Sequence, residues 1–293
     1  SNGRWVQLDR RAVGSTAGAC DVDVSPGSVH IMERVSTSVP GAQAIARAAG
    51  LLRLVSGGRP EGMALQELAH AADLSRSTTH RLLSALRAEG LVDRDDTTAR
   101  WMPGPELYLM GNAAAARYDV TALARDIVRS LAVKTEESAF FSVRRADETV
   151  CLLREEGAFP IRSFVLSEGV RFPLGVASAG LAILAFLPDH DVDAYLGRHP
   201  ELASTWGRPH AQKPLRARLA ETKERGFAVN PGLIVEGSWG IGAAVFDRHG
   251  RPEWALSLTG VEFRFGPDRL AHLGRTLLAH AHELSARIAG ARH

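Results

Sequence analysis

The sequence has few cysteines and no long apolar run. Cys20 and Cys151 are its only two cysteines, and a pair cannot by itself form a disulfide framework or a zinc site. No apolar run approaches the ~18 residues that a membrane span needs, and the first residues lack the apolar core of a secretory signal. Glycine-rich phosphate-binding loops are missing as well. We therefore expect a cytoplasmic protein that holds no metal and no cofactor.

Neither sign of charge predominates, because 35 Lys and Arg residues face 33 Asp and Glu residues. A nearly neutral chain is unsuited to coating polyanions, although a local nucleic-acid site remains open. With 293 residues, the chain is long enough for two domains with separate cores.

Four regions follow one another along the chain. Residues 1–39 mix Gly, Ser, Asp and Arg without periodicity and predict a disordered tail. Within this tail Met32 is an alternative translation start, so a tag or an annotation artefact and a native tail both stay open. Residues 40–105 predict a small helical domain with a hairpin, residues 106–134 predict linker or dimerisation helices, and residues 135–291 predict a second domain.

Residues 40–105 have the order of a winged helix-turn-helix. Apolar residues recur with a helical period at 42–55, 65–72 and 75–89, and Gly90 follows the last helix at a position that glycine tolerates best. Two short strands around a polar turn at 95–98 form a hairpin, which we call the wing. A short helix, a tight turn, a longer helix and a wing are typical of a DNA-reading domain.

The third helix has one apolar and one polar side. Leu82, Leu83 and Leu86 form the predicted buried stripe. Arginines and hydroxyls near the front of a helix suit base edges and phosphates in a major groove. The residues that we predict to contact DNA are Ser75, Arg76, Ser77, Thr78, His80 and Arg81 of this helix, and Arg94 and Arg100 of the wing. A solvated face of a generic three-helix domain is the alternative, because residues 40–105 carry almost no net excess of positive charge and Ser75 also serves as an N-cap.

After residue 137 the pattern changes to mixed strands and helices. Candidate strands lie at 139–145, 149–154, 161–166, 241–246 and 253–259, and candidate helices at 176–187, 192–196, 215–225 and 270–288. Residues 247–250 predict a hairpin turn with glycine at its end. Antiparallel hairpins with segregated helices predict an α+β sandwich rather than a doubly wound sheet.

Seven short segments together resemble the IclR family of bacterial transcriptional regulators over about residues 40–290. They are ALQELA at 64–69, LSRSTTHRLL at 74–83, EGLV at 89–92, FPL at 172–174, ASAGLAILA at 177–185, ERGFA at 224–228 and LSLTG at 256–260. The resemblance implies an α+β chain with an N-terminal winged helix-turn-helix, a linker helix, and a C-terminal GAF-like sandwich with an antiparallel sheet. It also implies dimers, or dimers of dimers, on a palindromic operator in double-stranded DNA.

The resemblance further implies that the second domain binds a small organic acid, which changes operator affinity by favouring one of two quaternary arrangements. Whether the bound state represses or activates is open. The positions that match the family's effector contacts are Ser178, Ala179 and Gly180 in a small-residue turn, Asn230, Gly240, and the strand hydroxyls of Ser257 and Thr259, with Ile161, Phe164 and Phe172 as apolar wall. Ser257 and Thr259 alternate along a strand, so both point to one face.

Three positions depart from the family pattern. Leu181 stands where the family often has Lys, Gly175 where His is common, and Gly240 where Cys is frequent. Each exchange removes bulk or polarity, so we expect a larger and more apolar pocket, suited to an aromatic or longer-chain acid or ester. Gly240 has a second explanation, since glycine also marks a bulge or a close backbone approach.

Two other functions are weighed against effector-controlled DNA binding. One makes the second domain an oligomerisation module without a ligand. The other is a hydrolase that uses Ser178, but Ala-Ser-Ala-Gly lacks the nucleophile-elbow pattern. Cys151 is interpreted as a small core residue, and His272, His280 and His282, which lack metal-ligand spacing, as surface residues. We therefore predict that the protein is not an enzyme.

Overall fold

The computed structural model describes residues 41–115, 120–161, 163 and 165–291. The predicted tail at 1–39, Met32 within it, and Phe164 of the predicted pocket wall lie outside the described residues.

The first part of the chain is three helices and a hairpin. Its elements are α1 (Gln43–Ser56), α2 (Leu65–Ala71), α3 (Arg76–Ala88), β1 (Val92–Arg94) and β2 (Trp101–Pro103). β1 and β2 pair antiparallel, with Val92 opposite Pro103. The winged helix-turn-helix fold predicted from the sequence is thereby confirmed.

One apolar cluster holds these elements together. Leu51 of α1, Leu68 of α2, Leu83 of α3, and Val92 and Trp101 of the hairpin are all at most 2% exposed. Because each of the five elements contributes one of these side chains, the burial of apolar area fixes α3 against its neighbours and leaves its other side to solvent.

Two described helical segments lie between the winged domain and the second part of the chain. They are α4 (Pro105–Ala115) and α5 (Val120–Thr135), with residues 116–119 outside the described part. Ile127 and Leu131 of α5 are buried, whereas Met110 of α4 is 56% exposed. An apolar face is therefore packed on α5, and Met110 of α4 is left to solvent.

The second part is built on a six-stranded antiparallel sheet. Its strands are β3 (Ser138–Arg145), β4 (Glu148–Glu155), β5 (Arg171–Pro173), β6 (Ala228–Pro231), β7 (Ser238–Phe246) and β8 (Pro252–Val261), in the spatial order β5-β4-β3-β8-β7-β6. The predicted turn at 247–250 joins β7 to β8. This sheet confirms the α+β class.

The strand predicted at 161–166 is wrong. The described residues there form bends, and the chain rejoins the sheet only at β5 after a turn at Gly169, whose φ is +82°. Val170 then accepts the backbone N–H of Cys151, and Arg171 pairs with Glu148 across the strands. The edge of the sheet is thus set by pairing with β4.

Helices cover both faces of the sheet. They are α6 (Ser178–Ala185), α7 (Asp189–Arg198), α8 (Leu202–Trp206), α9 (Gln212–Arg225) and α10 (Pro267–Gly290). Neighbouring residues of β3 serve opposite faces: Phe140 packs with the cluster of α6, α7 and α9, and Phe141 packs with the cluster of α5 and α10. The sheet is therefore buried between two helical layers.

The surface interpretation of the α10 histidines is wrong for His280, which is 4% exposed. Its Nδ1 donates to the carbonyl of Thr276 at 2.7 Å, and its Nε2 lies 3.3 Å from the hydroxyl of Ser130 on α5. The imidazole therefore links α10 to α5. Among the described residues, no helix is long and apolar enough to cross a membrane, and no cluster of three or more His, Cys, Asp or Glu could hold a metal ion.

Candidate DNA interface and effector pocket

The hydroxyls at the start of α3 bond to one another. Ser75 is the N-cap, and its Oγ accepts the backbone N–H of Thr78 at 3.2 Å. The same Oγ lies 3.1 Å from Ser77 Oγ and 2.9 Å from Thr78 Oγ1. Ser75 and Thr78 thus serve the helix start, which is the structural role that the sequence also allowed.

The face of α3 opposite the core is exposed, and its first half carries four exposed polar side chains: Arg76, Ser77, His80 and Arg81. Neither Arg76 nor Arg81 has an ion-pair partner among the described residues. The ring of His80 meets Trp101 of the wing edge-on, with centroids 6.4 Å apart. Two unpaired guanidinium groups, a hydroxyl and an imidazole therefore face outward together.

Arg100 of the wing is tied to the protein itself. Its Nη1 donates to the carbonyl of Gly62 at 2.9 Å and lies 3.6 Å from a carboxylate oxygen of Glu67 on α2. These contacts fix the wing to the helices, so Arg100, predicted to contact DNA, has a structural role in this fold. Arg94 stays exposed, with its guanidinium 5.9 Å above the ring of Trp101.

The wing turn is acidic. The backbone N–H and the hydroxyl of Thr98, with the N–H of Thr97, bond the Asp95 carboxylate and hold its pKa below the ordinary value. Asp93 and Asp96 add two more exposed carboxylates. Carboxylates at this tip disfavour its approach to phosphates.

A cavity lies between α6 and the sheet. Seven predicted effector residues line it: Phe172, Ser178, Ala179, Asn230, Gly240, Ser257 and Thr259. Sequence reasoning missed six further lining residues, namely Val165, Leu166, Ala177, Ile234, Ser238 and Trp239. Trp239 could have been predicted from the sequence as a lining residue, since it directly precedes Gly240. The sequence contains no comparable indication for the loop residues.

Two predicted pocket residues lie elsewhere. Ile161 is 55% exposed and does not line the cavity, because the strand expected to carry it inward does not form. Gly180 faces backbone instead: a Cβ there would come within 3.1 Å of the Leu174 Cα. Its small size permits close packing of α6 rather than ligand contact.

Two hydroxyls in the cavity have no partner in the part of the chain that the structure describes. The Oγ of Ser257 and the Oγ1 of Thr259 are buried, and neither forms a hydrogen bond with a described residue. Buried polar groups are nearly always bonded, so two orphans on one cavity wall are unusual. The N-terminus of α6, at Ser178, adjoins the same space, since Ser178 Oγ is 3.3 Å from where a Cβ on Gly240 would lie.

Asn230 is already engaged by the protein. Its Nδ2 donates to the carbonyl of Val176 at 2.8 Å, and its Oδ1 accepts the N–H of Leu233 at 3.0 Å. None of the described residues that line the cavity carries a charge. An anion there would depend on hydroxyls and on the backbone N–H groups at the start of α6.

The cavity is small. Its volume of about 30 Å³ equals the share of one water molecule in the liquid, whereas ligand sites usually span roughly 300–1,000 Å³. The expectation of an enlarged pocket is therefore not met in this structure. An aromatic acid needs a larger space than this cavity provides.

The first part of the chain is a winged helix-turn-helix with an outward-facing row of arginine, serine and histidine, and an α+β region follows it. This arrangement defines a DNA-binding regulator. The chain matches two family descriptions: "IclR helix-turn-helix domain" over residues 44–96, and "Bacterial transcriptional regulator IclR C-terminal" over residues 112–286.

Similar proteins agree with these matches. The transcriptional repressor IclR of Escherichia coli is 27% identical over 78% of this chain and 84% of that protein. The HTH-type transcriptional regulator TtgV of Pseudomonas putida is 34% identical over 64% and 70%. Among solved structures, an IclR transcriptional regulator from Alicyclobacillus acidocaldarius has a TM-score of 0.67 and 25% identity, covering 86% of this chain and all of that one.

An IclR homologue of Microbacterium hydrocarbonoxydans, solved in complex with 4-hydroxybenzoate, shares the fold with a TM-score of 0.67 at 19% identity, over 85% of this chain and 100% of that one. The chain belongs to the IclR family of bacterial transcriptional regulators. Since its relatives are named as repressors and regulators, it is a DNA-binding regulator and not an enzyme.

Proposed function

We propose that the exposed face of α3 reads the operator. The observation that carries this proposal is the outward row of Arg76, Ser77, His80 and Arg81, in which both arginines lack an ion-pair partner among the described residues. Unpaired arginines on a recognition helix suit guanine edges and phosphates. Arg94 supplies a backbone contact beside this helix.

We further propose a homodimer, or a dimer of dimers, on a palindromic operator. Two symmetric copies place two α3 helices in successive major grooves. Tyr108, Leu109 and Met110 support an interface on α4, because these apolar side chains are all more than half exposed.

The cavity of the second domain is proposed to bind a small organic acid, with an aromatic acid as first choice. The unpartnered hydroxyls of Ser257 and Thr259 suit a carboxylate, and Phe172 and Trp239 suit an aromatic ring. The Microbacterium homologue in complex with 4-hydroxybenzoate supports this class of ligand. Opening of the cavity then couples binding to the arrangement of the two reading domains.

The experiment begins with selection from a random duplex pool at near-physiological salt. Enrichment of an inverted repeat is expected and supplies the probe. Arg81→Ala then weakens operator binding by roughly fivefold to 150-fold if the arginine reads a base, which corresponds to about 1–3 kcal/mol. If it contacts a phosphate, the salt slope falls by about one instead. The melting temperature stays unchanged, since Arg81 is exposed.

Arg87→Ala is the matched control. Arg87 lies on the same helix but 3.9 Å from a carboxylate oxygen of Asp96, so its loss affects affinity less. Equal affinity of Arg81→Ala and the parent protein would remove Arg81 from the interface.

The effector proposal is tested with 4-hydroxybenzoate and a panel of aliphatic acids on the operator complex. A saturable change of operator affinity with 4-hydroxybenzoate is expected. If no acid changes the affinity, the second domain is the ligand-free oligomerisation module.

A further inference from the structure

A second group of unpaired donors lies outside the cavity, around Arg218 of α9. The Nε and Nη2 atoms of Arg218 are buried and have no hydrogen-bond partner among the described residues. Its Nη1 makes one long bond of 3.4 Å to the carbonyl of Gly175. No carboxylate among the described residues forms an ion pair with it, since Glu221 on the same helix pairs with Arg225.

The geometry of the unpaired atoms is chemically specific. Nε–H and Nη2–H lie on the same edge of the guanidinium and point the same way, which is the fork that binds a carboxylate through two parallel hydrogen bonds. In Arg218 this fork is free, while the remaining nitrogen is occupied by Gly175.

His210 lies close to this guanidinium and has one unpaired nitrogen. Its Nδ1 donates to the carbonyl of Trp206 at 2.7 Å, so this nitrogen carries the hydrogen, and its buried Nε2 is an acceptor without a hydrogen-bond partner among the described residues. Burial, together with the nearby charge of Arg218, lowers the pKa of His210. Burial also lowers the pKa of Arg218, to about 10.

The buried guanidinium of Arg218 destabilises the fold when it has no anionic partner. An unpaired buried charge costs several kcal/mol and is rarely kept without a partner. His210 is 1% exposed, yet Gly207, Arg208 and Pro209 just before it are exposed. His210 therefore lies beside an exposed turn.

We propose that Arg218 forms a binding site for a small carboxylate, separate from the cavity between α6 and the sheet. The carboxylate binds the Nε–Nη2 edge of Arg218 through both oxygens. The site contacts the loop before α6 through Gly175, and α6 also borders the cavity. An anion here thus holds one wall of the effector pocket.

The test measures thermal unfolding and binding heat of the full chain with sodium acetate and sodium benzoate, against sodium chloride at matched ionic strength and uncharged benzamide. A saturable rise in melting temperature with at least one carboxylate, and none with benzamide, is expected. Arg218→Met weakens carboxylate binding by about tenfold or more, because it removes two hydrogen bonds to a charged group. Arg218→Lys keeps the charge but not the fork, so its affinity for the carboxylate falls between those of the parent protein and Arg218→Met.

Arg216→Met is the matched control on the same helix. Arg216 is exposed and pairs with Asp193 at 2.6 Å, so its loss leaves carboxylate binding unchanged. Without carboxylate, Arg218→Met melts no lower than the parent protein, because it removes an unpaired buried charge.

Three results would overturn the proposal: no saturable carboxylate effect in the parent protein, an equal effect in Arg218→Met, or loss of the effect in Thr259→Val, which alters only the cavity. Failure of the effector proposal looks different. There, acids leave operator affinity unchanged while the response that depends on Arg218 persists.

Discussion

The orphan hydroxyl of Thr259 makes a prediction of unusual sign, namely that a substitution in the cavity stabilises the protein. Thr259 is 9% exposed, and its Oγ1 is buried without a partner. A buried hydroxyl that has lost water and gained no bond costs about 1–3 kcal/mol. Valine has nearly the same shape as threonine and a similar propensity for β-strands. Thr259→Val is therefore expected to raise the free energy of unfolding by about 1–3 kcal/mol.

A matched substitution should act in the opposite direction. Thr135 is also buried, but its Oγ1 donates to the Leu131 carbonyl at 2.8 Å and accepts the Glu137 N–H at 3.3 Å. Thr135→Val removes both bonds and leaves the Glu137 N–H without this acceptor, so it lowers the free energy of unfolding by about 1–3 kcal/mol.

The assay is urea unfolding followed by tryptophan fluorescence and circular dichroism, with the midpoint compared at unchanged slope. Thr259→Val is then tested for the response of operator affinity to 4-hydroxybenzoate, and this variant should lose that response. A lower free energy of unfolding for Thr259→Val would show that the hydroxyl is bonded in the folded protein. The Thr259 hydroxyl would then be unavailable to bind a ligand.

Two further predictions concern ion pairs. Arg100→Ala should lower the free energy of unfolding of the winged domain by about 1 kcal/mol, since it frees the Gly62 carbonyl; normal stability with lost operator affinity would instead place Arg100 on the DNA. Burial raises the pKa of Asp147, but hydrogen bonds from Arg198 and His199 outweigh this and hold it below the ordinary 3.8. Its stabilisation is thus full above about pH 4 and is lost as the pH falls through the lowered pKa. Acid titration of Asp147→Asn should show a flatter decline, and an unchanged curve would contradict the linkage.

Much of the winged domain was predictable because its signals are local. The N-cap Ser75 sets the start of α3, and Gly90, with φ of +68°, stands after its end. The buried stripe of Leu83 and Leu86 follows from the helical period alone. Fold class, element order and the exposed face of α3 are therefore consequences of short-range patterns.

The edge strand β5 and the burial of His280 could not be predicted in the same way. β5 has three residues, too few for an alternating pattern, and it forms because β4 offers a free edge. His280 is buried because Ser130, 150 residues earlier in the chain, lies beside it. Spacing along one helix contains no information about such a partner.

Helix and strand periods are properties of the backbone, so spacing along the chain is enough to predict which residues share a face. It predicted the exposed face of α3 and the paired hydroxyls of Ser257 and Thr259. Which polar groups find partners depends on how distant segments pack: among the described residues Arg100 is bonded, whereas the fork of Arg218 and both β8 hydroxyls are not. The volume of the cavity belongs to the same class, since it depends on how loops far apart in the chain pack together.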